Sequence, residues 1–152
     1  MREQTYTTRG RARERGGMFI PVPFDPDAVW GPKPVHHVNG TVGGARVRAV
    51  IGSLDGERGL LLGPSWTPGG LEPGTQVEVV LAPEGPQRAD LADDLAAALE
   101  ASPAAGAFFD GLAQFYRRAY LRWIDGTKRH PDLRAQRIAE VVALLESGRK
   151  QR

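Results

Sequence analysis

Residues 116–124 read Tyr116-Arg117-Arg118-Ala119-Tyr120-Leu121-Arg122-Trp123-Ile124, and how this run is taken decides the fold. Tyr116, Ala119, Tyr120, Trp123 and Ile124 recur at i, i+3, i+4, i+7 and i+8, the stripe of a helix with one apolar face. Its Tyr116, Tyr120 and Trp123 face is expected to be the packing surface that joins the helices to a barrel formed earlier in the chain. Arg117, Arg118 and Arg122 are expected to face outward, where an acidic partner surface could meet them.

Working outward, Gly126 ends this helix and His130-Pro131 opens another, whose stripe is Ile138, Val141, Val142 and Leu145 with Gly148 as its stop. On the other side, Ser102-Pro103 has the form of an N-cap followed by an N1 proline, predicting a short helix to about Asp110 that stops at Gly111. Leu95, Ala98 and Leu99 predict one more, with Asp93 and Asp94 in its first turn, where carboxylates oppose the helix dipole favourably. Charge is segregated along these helices. Residues 90–110 hold only acids, whereas residues 111–137 hold seven cations against Asp125 and Asp132. Pairing between helices is the expected consequence, with Arg134 and Arg137, near the stripe of the last helix, placed either to pair with an acid or to present a planar fork to an anion. Lys128 stands just before that helix.

Ahead of residue 89 the period changes. Residues 18–24 predict an edge strand, prolines suiting an edge, and residues 27–30 a short turn or a single helical turn. Two apolar-alternating runs within 35–51 flank Gly43-Gly44, a pair able to take the positive φ of a tight hairpin turn. On the second run Ala45, Val47, Ala49 and Ile51 share one face, leaving Arg46, Arg48 and Val50 on the other. A turn is expected over 52–59, a strand over 60–62, a Pro/Gly loop carrying Trp66 over 63–74, and a strand on which Val77, Val79 and Leu81 alternate. Short strands at such spacing satisfy their edges by curling into a small barrel. The expected fold is therefore α+β: a small N-terminal β-barrel over 18–88 followed by a helical module of three to four helices over 89–148. Residues 1–17 are expected to form a disordered basic arm and 149–152 a basic tail.

The net charge of +2 and a pI near 9.3 come from these ends, which together supply +6 and leave residues 18–147 at −4. That balance argues against a nucleic-acid module, which needs its positive charge on the folded surface. The chain has no cysteine, so disulfides, thiolate nucleophiles and most structural zinc sites fall away. No apolar run approaches the roughly 20 residues of a membrane span, and the start lacks the apolar core of a secretory signal. The cytoplasm is the expected location.

No catalytic constellation emerges. His36 and His37 would point to opposite faces of a strand and cannot share one metal. Gly63-Pro64-Ser65-Trp66-Thr67 lacks the second glycine of a nucleophile elbow, and the glycines of 40–44 do not follow a phosphate-binding order. The expectation is a non-enzymatic protein with no cofactor and no metal. Contact with a small molecule or a partner is expected at Arg48, Trp66, Arg117, Arg118, Arg122, Lys128, Arg134 and Arg137. Trp66 would either cover an apolar cavity mouth or plug the barrel rim by packing on the helices.

The run Asp94-Leu95-Ala96-Ala97-Ala98-Leu99, then Ala107-Phe108-Phe109-Asp110, Arg117 through Ile124, Lys128-Arg129, and Arg134 with Arg137-Ile138-Ala139 resembles the bacteriocin-protection, YdeI or OmpD-associated family. Gly40-Thr41-Val42-Gly43-Gly44 with Val47-Arg48, and Leu71-Glu72-Pro73-Gly74 before Val77-Glu78-Val79, are similar to the domain of unknown function that commonly precedes that helical module. Three departures stand out: Ala113-Gln114-Phe115 replaces a Ser-Pro helix start, His130 is inserted into the Lys-Arg-Pro turn, and a loop over 65–70 replaces what is often a short helix. The resemblance implies a bacterial protein linked to tolerance of bacteriocins or cationic antimicrobial peptides and no established reaction. Two alternatives are a barrel that binds a small ligand near Trp66 and Arg48, and a nucleic-acid binder, because residues 71–79 are also similar to the hairpins of AbrB-like swapped barrels.

Overall fold

The computed structural model describes residues 2–66 and 72–152. The chain divides into two compact units: residues 1–32 with 36–83, and residues 33–35 with 84–152. The first carries strands β1 (Gln4–Arg9), β2 (Arg11–Ala12), β3 (Met18–Pro21), β4 (His37–Val42), β5 (Ala45–Leu54), β6 (Glu57–Leu62) and β7 (Gln76–Pro83), with the short helix α1 (Pro26–Trp30) between β3 and β4. The second carries one 3-10 turn, Arg88–Asp90, and helices α2 (Asp93–Ala101), α3 (Pro103–Gly111), α4 (Gln114–Asp125) and α5 (Pro131–Glu146).

All seven strands form one sheet in the order β1-β7-β4-β5-β6-β3-β2, with every pair antiparallel. Its two ends, β1 and β2, are a single run of chain interrupted at Gly10, so the sheet curls round on itself. Gly10 permits this because a Cβ there would sit 2.5 Å from the Met18 sulfur. The Tyr6 hydroxyl completes the closure by donating to the Pro21 carbonyl at 2.8 Å, and its burial pushes the phenol pKa above its ordinary value. The start of the chain is thus part of the sheet, where a disordered arm was expected. Its Arg content hid the alternation of β1, in which Gln4, Tyr6 and Thr8 are half-buried between exposed Thr5, Thr7 and Arg9, and β-branched threonines suit a pleated surface.

The hairpin about Gly43-Gly44 forms as expected, pairing Val42 with Ala45. The turn expected over 52–59 shrinks to Asp55 and Gly56, at φ 52° and 81°, because β5 and β6 stay paired up to Leu54 and Glu57. Of the 63–74 loop, residues 67–71 lie outside the described residues. Inside the barrel Ile20, Val38, Val42, Leu60, Val79 and Leu81 are fully buried, so side chains fill the interior. Tyr6, Phe24 and Trp30 pack against this core as an edge-to-face series with centroids 6.0 and 5.2 Å apart. At the Gly43-Gly44 end Trp66 is half-buried on the same core and donates its indole N–H to the Arg46 carbonyl at 3.1 Å.

The helical unit has its own core, in which Leu99, Ala105, Phe109, Ile124, Val141 and Leu145 are 0–2 % exposed. The stripes read from the sequence are the buried faces, and α3 and α5 start at their prolines. Ser102 differs from its expected role: its side chain makes no cap, and its hydroxyl donates to Glu146 at 2.9 Å.

Candidate functional site

Two arginines organise the helical unit. Arg117, expected on an outward face, is 2 % exposed, because it stands three residues before Tyr120 and seven before Ile124, on the stripe that α4 buries. Its guanidinium lies 5.1 Å from the centre of the Phe109 ring and donates to carbonyls of Leu112 (2.9 Å), Asp110 (2.7 Å), Pro86 (2.7 Å) and Glu84 (3.4 Å). Asp110 and Leu112 stand where α3 ends, so Arg117 satisfies carbonyls that a helix terminus leaves orphaned. Burial pulls its pKa below the ordinary value, and the charges of Asp110 and Glu84 oppose that pull.

Glu84 is also buried, 3 % exposed, and its carboxylate accepts the Gln114 N–H at 3.0 Å. Ala113 at the N-cap of α4 has no side chain able to cap. Glu84 therefore supplies from the connecting segment what the helix start lacks. Arg88 closes the same region by reaching Asp110 at 3.0 and 3.2 Å.

The second organiser is Arg134, which does pair between helices. Its Nε and Nη2 donate to the two carboxylate oxygens of Asp94 at 2.6 and 3.0 Å, and Nη1 donates to Asp125 at 3.1 Å. One planar fork thereby ties α5 to α2 and α4. The hydrogen bond from Arg134 holds the Asp94 carboxyl below the usual carboxylate range, and that same bond raises the Arg134 pKa. Beside the clamp lies a groove of about 560 Å³, lined by Asp90, Leu91, Ala92, Leu95, Leu121, Asp125, Lys128 and Arg134. Leucines form its floor, and charges of both signs stand on its rim. That arrangement can hold an amphipathic ligand; it aligns no nucleophile with a base.

Residues 88–148 match the family described as bacteriocin-protection, YdeI or OmpD-associated. That match falls within the helical unit. No curated protein matches the chain. The matched residues contain both arginine organisers and the whole groove, while Glu84, which caps α4, stands just ahead of them.

The structure brings together two of the residues singled out in the sequence, Lys128 and Arg134, at the groove. Arg118 and Arg122 are exposed on α4 as expected. Arg137 donates to the Trp123 carbonyl at 2.6 Å and stacks 4.8 Å from that indole; among the described residues it pairs with no acid, and it does not line the groove. In the barrel unit Arg48 is exposed on the outer face of β5, opposite Asn39, and Trp66 packs half-buried on the barrel's own core. The aromatic face of α4 packs into the module's own core, with Tyr120 3 % exposed. Leu91 and Leu121 were missed as site residues because each is one leucine among many. Their signal was position, just after the 3-10 turn that precedes α2 and on the flank of α4.

No helix of the described residues is long and apolar enough to cross a membrane.

Proposed function

We propose that this protein is a non-enzymatic interaction module in tolerance of bacteriocins or cationic antimicrobial peptides, and that the groove beside Arg134 receives a short amphipathic segment. The match of residues 88–148 to the family carries the reading. The groove supports it: the half-buried Leu91 and Leu121 offer apolar lining for one face of a peptide, and the exposed Asp90 brings a carboxylate to the same groove. A partner with an acidic surface is the second kind of protein contact proposed, on the cationic side of α4. The packed barrel interior favours contact through surfaces over capture of a small ligand within the barrel.

The test is titration of a labelled cationic amphipathic peptide into the full chain. Binding should weaken about tenfold in Leu121→Glu, which puts a charge on the floor. Equal affinity for both proteins would remove the groove from the function.

A further inference from the structure

The tail that follows α5 stays on the helical unit. Gly148 turns the chain at φ 73°, the Arg149 N–H donates to the Leu144 carbonyl at 2.9 Å, and the Arg149 carbonyl accepts the Tyr120 hydroxyl at 2.7 Å. Lys150 then lies 5.6 Å above the Tyr116 ring, and Arg152 lies 4.2 Å above the Trp123 ring. The tail runs along α4 as a second row of cations.

Among the described residues, none of Arg118, Arg122, Arg137, Lys150 and Arg152 pairs with a carboxylate. Asp125 is engaged by Arg134 and Glu146 by Ser102. Arg137 and Arg152 approach one indole, which puts their charges within about one Debye length, roughly 8–10 Å, of each other. Uncompensated like charges at that range repel, and an anionic partner relieves them. Next to this row Phe115 is 63 % exposed, its ring edge-on to Tyr116 at 5.2 Å. Phe115, Arg118 and Arg122 follow i, i+3, i+7 spacing, which makes them one exposed stripe. An aromatic side chain amid arginines has the composition of an interface anchor.

We propose that this stripe and the folded-back tail form a docking surface for an acidic polypeptide segment that carries an apolar residue. Carboxylates meet the guanidinium row while the apolar side chain covers Phe115. Single-stranded nucleic acid fits less well, because the faces of Tyr116 and Trp123 already carry cations where bases would stack. A lipid surface fits less well too, since one phenylalanine gives little insertion. The proposal rests on the interaction-module reading, but not on the groove and not on peptide tolerance.

The experiment is fluorescence anisotropy with a labelled peptide of glutamates around one central leucine, and a second peptide with glycine in place of that leucine. The leucine peptide should bind the full chain and be released by salt. Arg118→Glu with Arg122→Glu should weaken both peptides at least about tenfold, while Phe115→Ser should weaken only the leucine peptide. Arg118→Gln with Arg122→Gln should show the same loss at smaller size, and thermal melts confirm that each variant is folded. No binding, binding indifferent to these changes, or tighter binding to phosphatidylglycerol vesicles or duplex DNA would overturn the proposal. Peptide binding retained in a chain that gives no antimicrobial tolerance would sink the tolerance reading and leave this surface standing.

Discussion

A single side chain, Arg117, sets how the helical module ends one helix and begins the next. Removing a buried charge whose partners stay behind costs about 3–5 kcal/mol, and Arg117→Met leaves carbonyls of Asp110, Leu112 and Pro86 without their donor. Arg117→Lys should recover little, since one ammonium cannot span the carbonyls a guanidinium fork reaches. Urea unfolding followed by Trp123 fluorescence checks both. Asp94 gives a pH signature. Its folded pKa lies below the ordinary value, so its contribution is present above that value, about pH 4, and is lost as pH falls through the folded pKa. Because Asp94 is 49 % exposed, the effect is about 1 kcal/mol or less. Asp94→Asn should flatten the acid limb of melting temperature against pH, and an unchanged limb would show that the pair contributes nothing. The misplacement of Arg117 has a physical reason: hydropathy assigns arginine to solvent, whereas four carbonyls and an aromatic face can hold it inside.

At the scale of elements, the helices were legible because period, prolines and stop glycines all point the same way. The first strand was not, because five arginines in residues 1–17 mask a threonine-rich alternation that pairing with β7 makes visible. The groove was legible only in its charged rim, since nothing local tells which leucines a packed unit leaves open. Two glycines separate backbone from side-chain constraint. A Cβ on Gly40 would lie 1.7 Å from the Val80 carbonyl oxygen, where β4 and β7 pair, so Gly40→Ala should cost about 3 kcal/mol or more. A Cβ on Gly106 meets only the end of the Arg88 side chain, which can swing away. Its cost is the exposed part of one ion pair, about 0–1 kcal/mol, against about 1 kcal/mol gained from replacing a helical glycine. Gly106→Ala should therefore change stability by less than about 1 kcal/mol, and calorimetric melts of the two alanine variants should rank them far apart.

For the whole molecule, the charge bookkeeping from sequence was right in sum and incomplete in meaning. The cations at the two ends are held against folded surface, by Arg9 and Arg13 donating to the carbonyls of Gly74 and Leu62 and by the tail lying along α4. Each unit buries its own core, with no residue in common, so lesions should register locally. Arg117→Met should lower hydrogen-exchange protection across α3 and α4 and leave the β4, β5 and β7 amides protected. The claim that matters most is that the helical module works by contact, through its groove, in resisting membrane-active peptides. It is tested most directly by survival under a cationic antimicrobial peptide of a strain lacking the gene, complemented with the wild-type chain or with Leu121→Glu. The prediction is that deletion lowers survival, the wild-type chain restores it, and Leu121→Glu, folded and equally abundant, does not. Unchanged survival on deletion, or full rescue by Leu121→Glu, would contradict it.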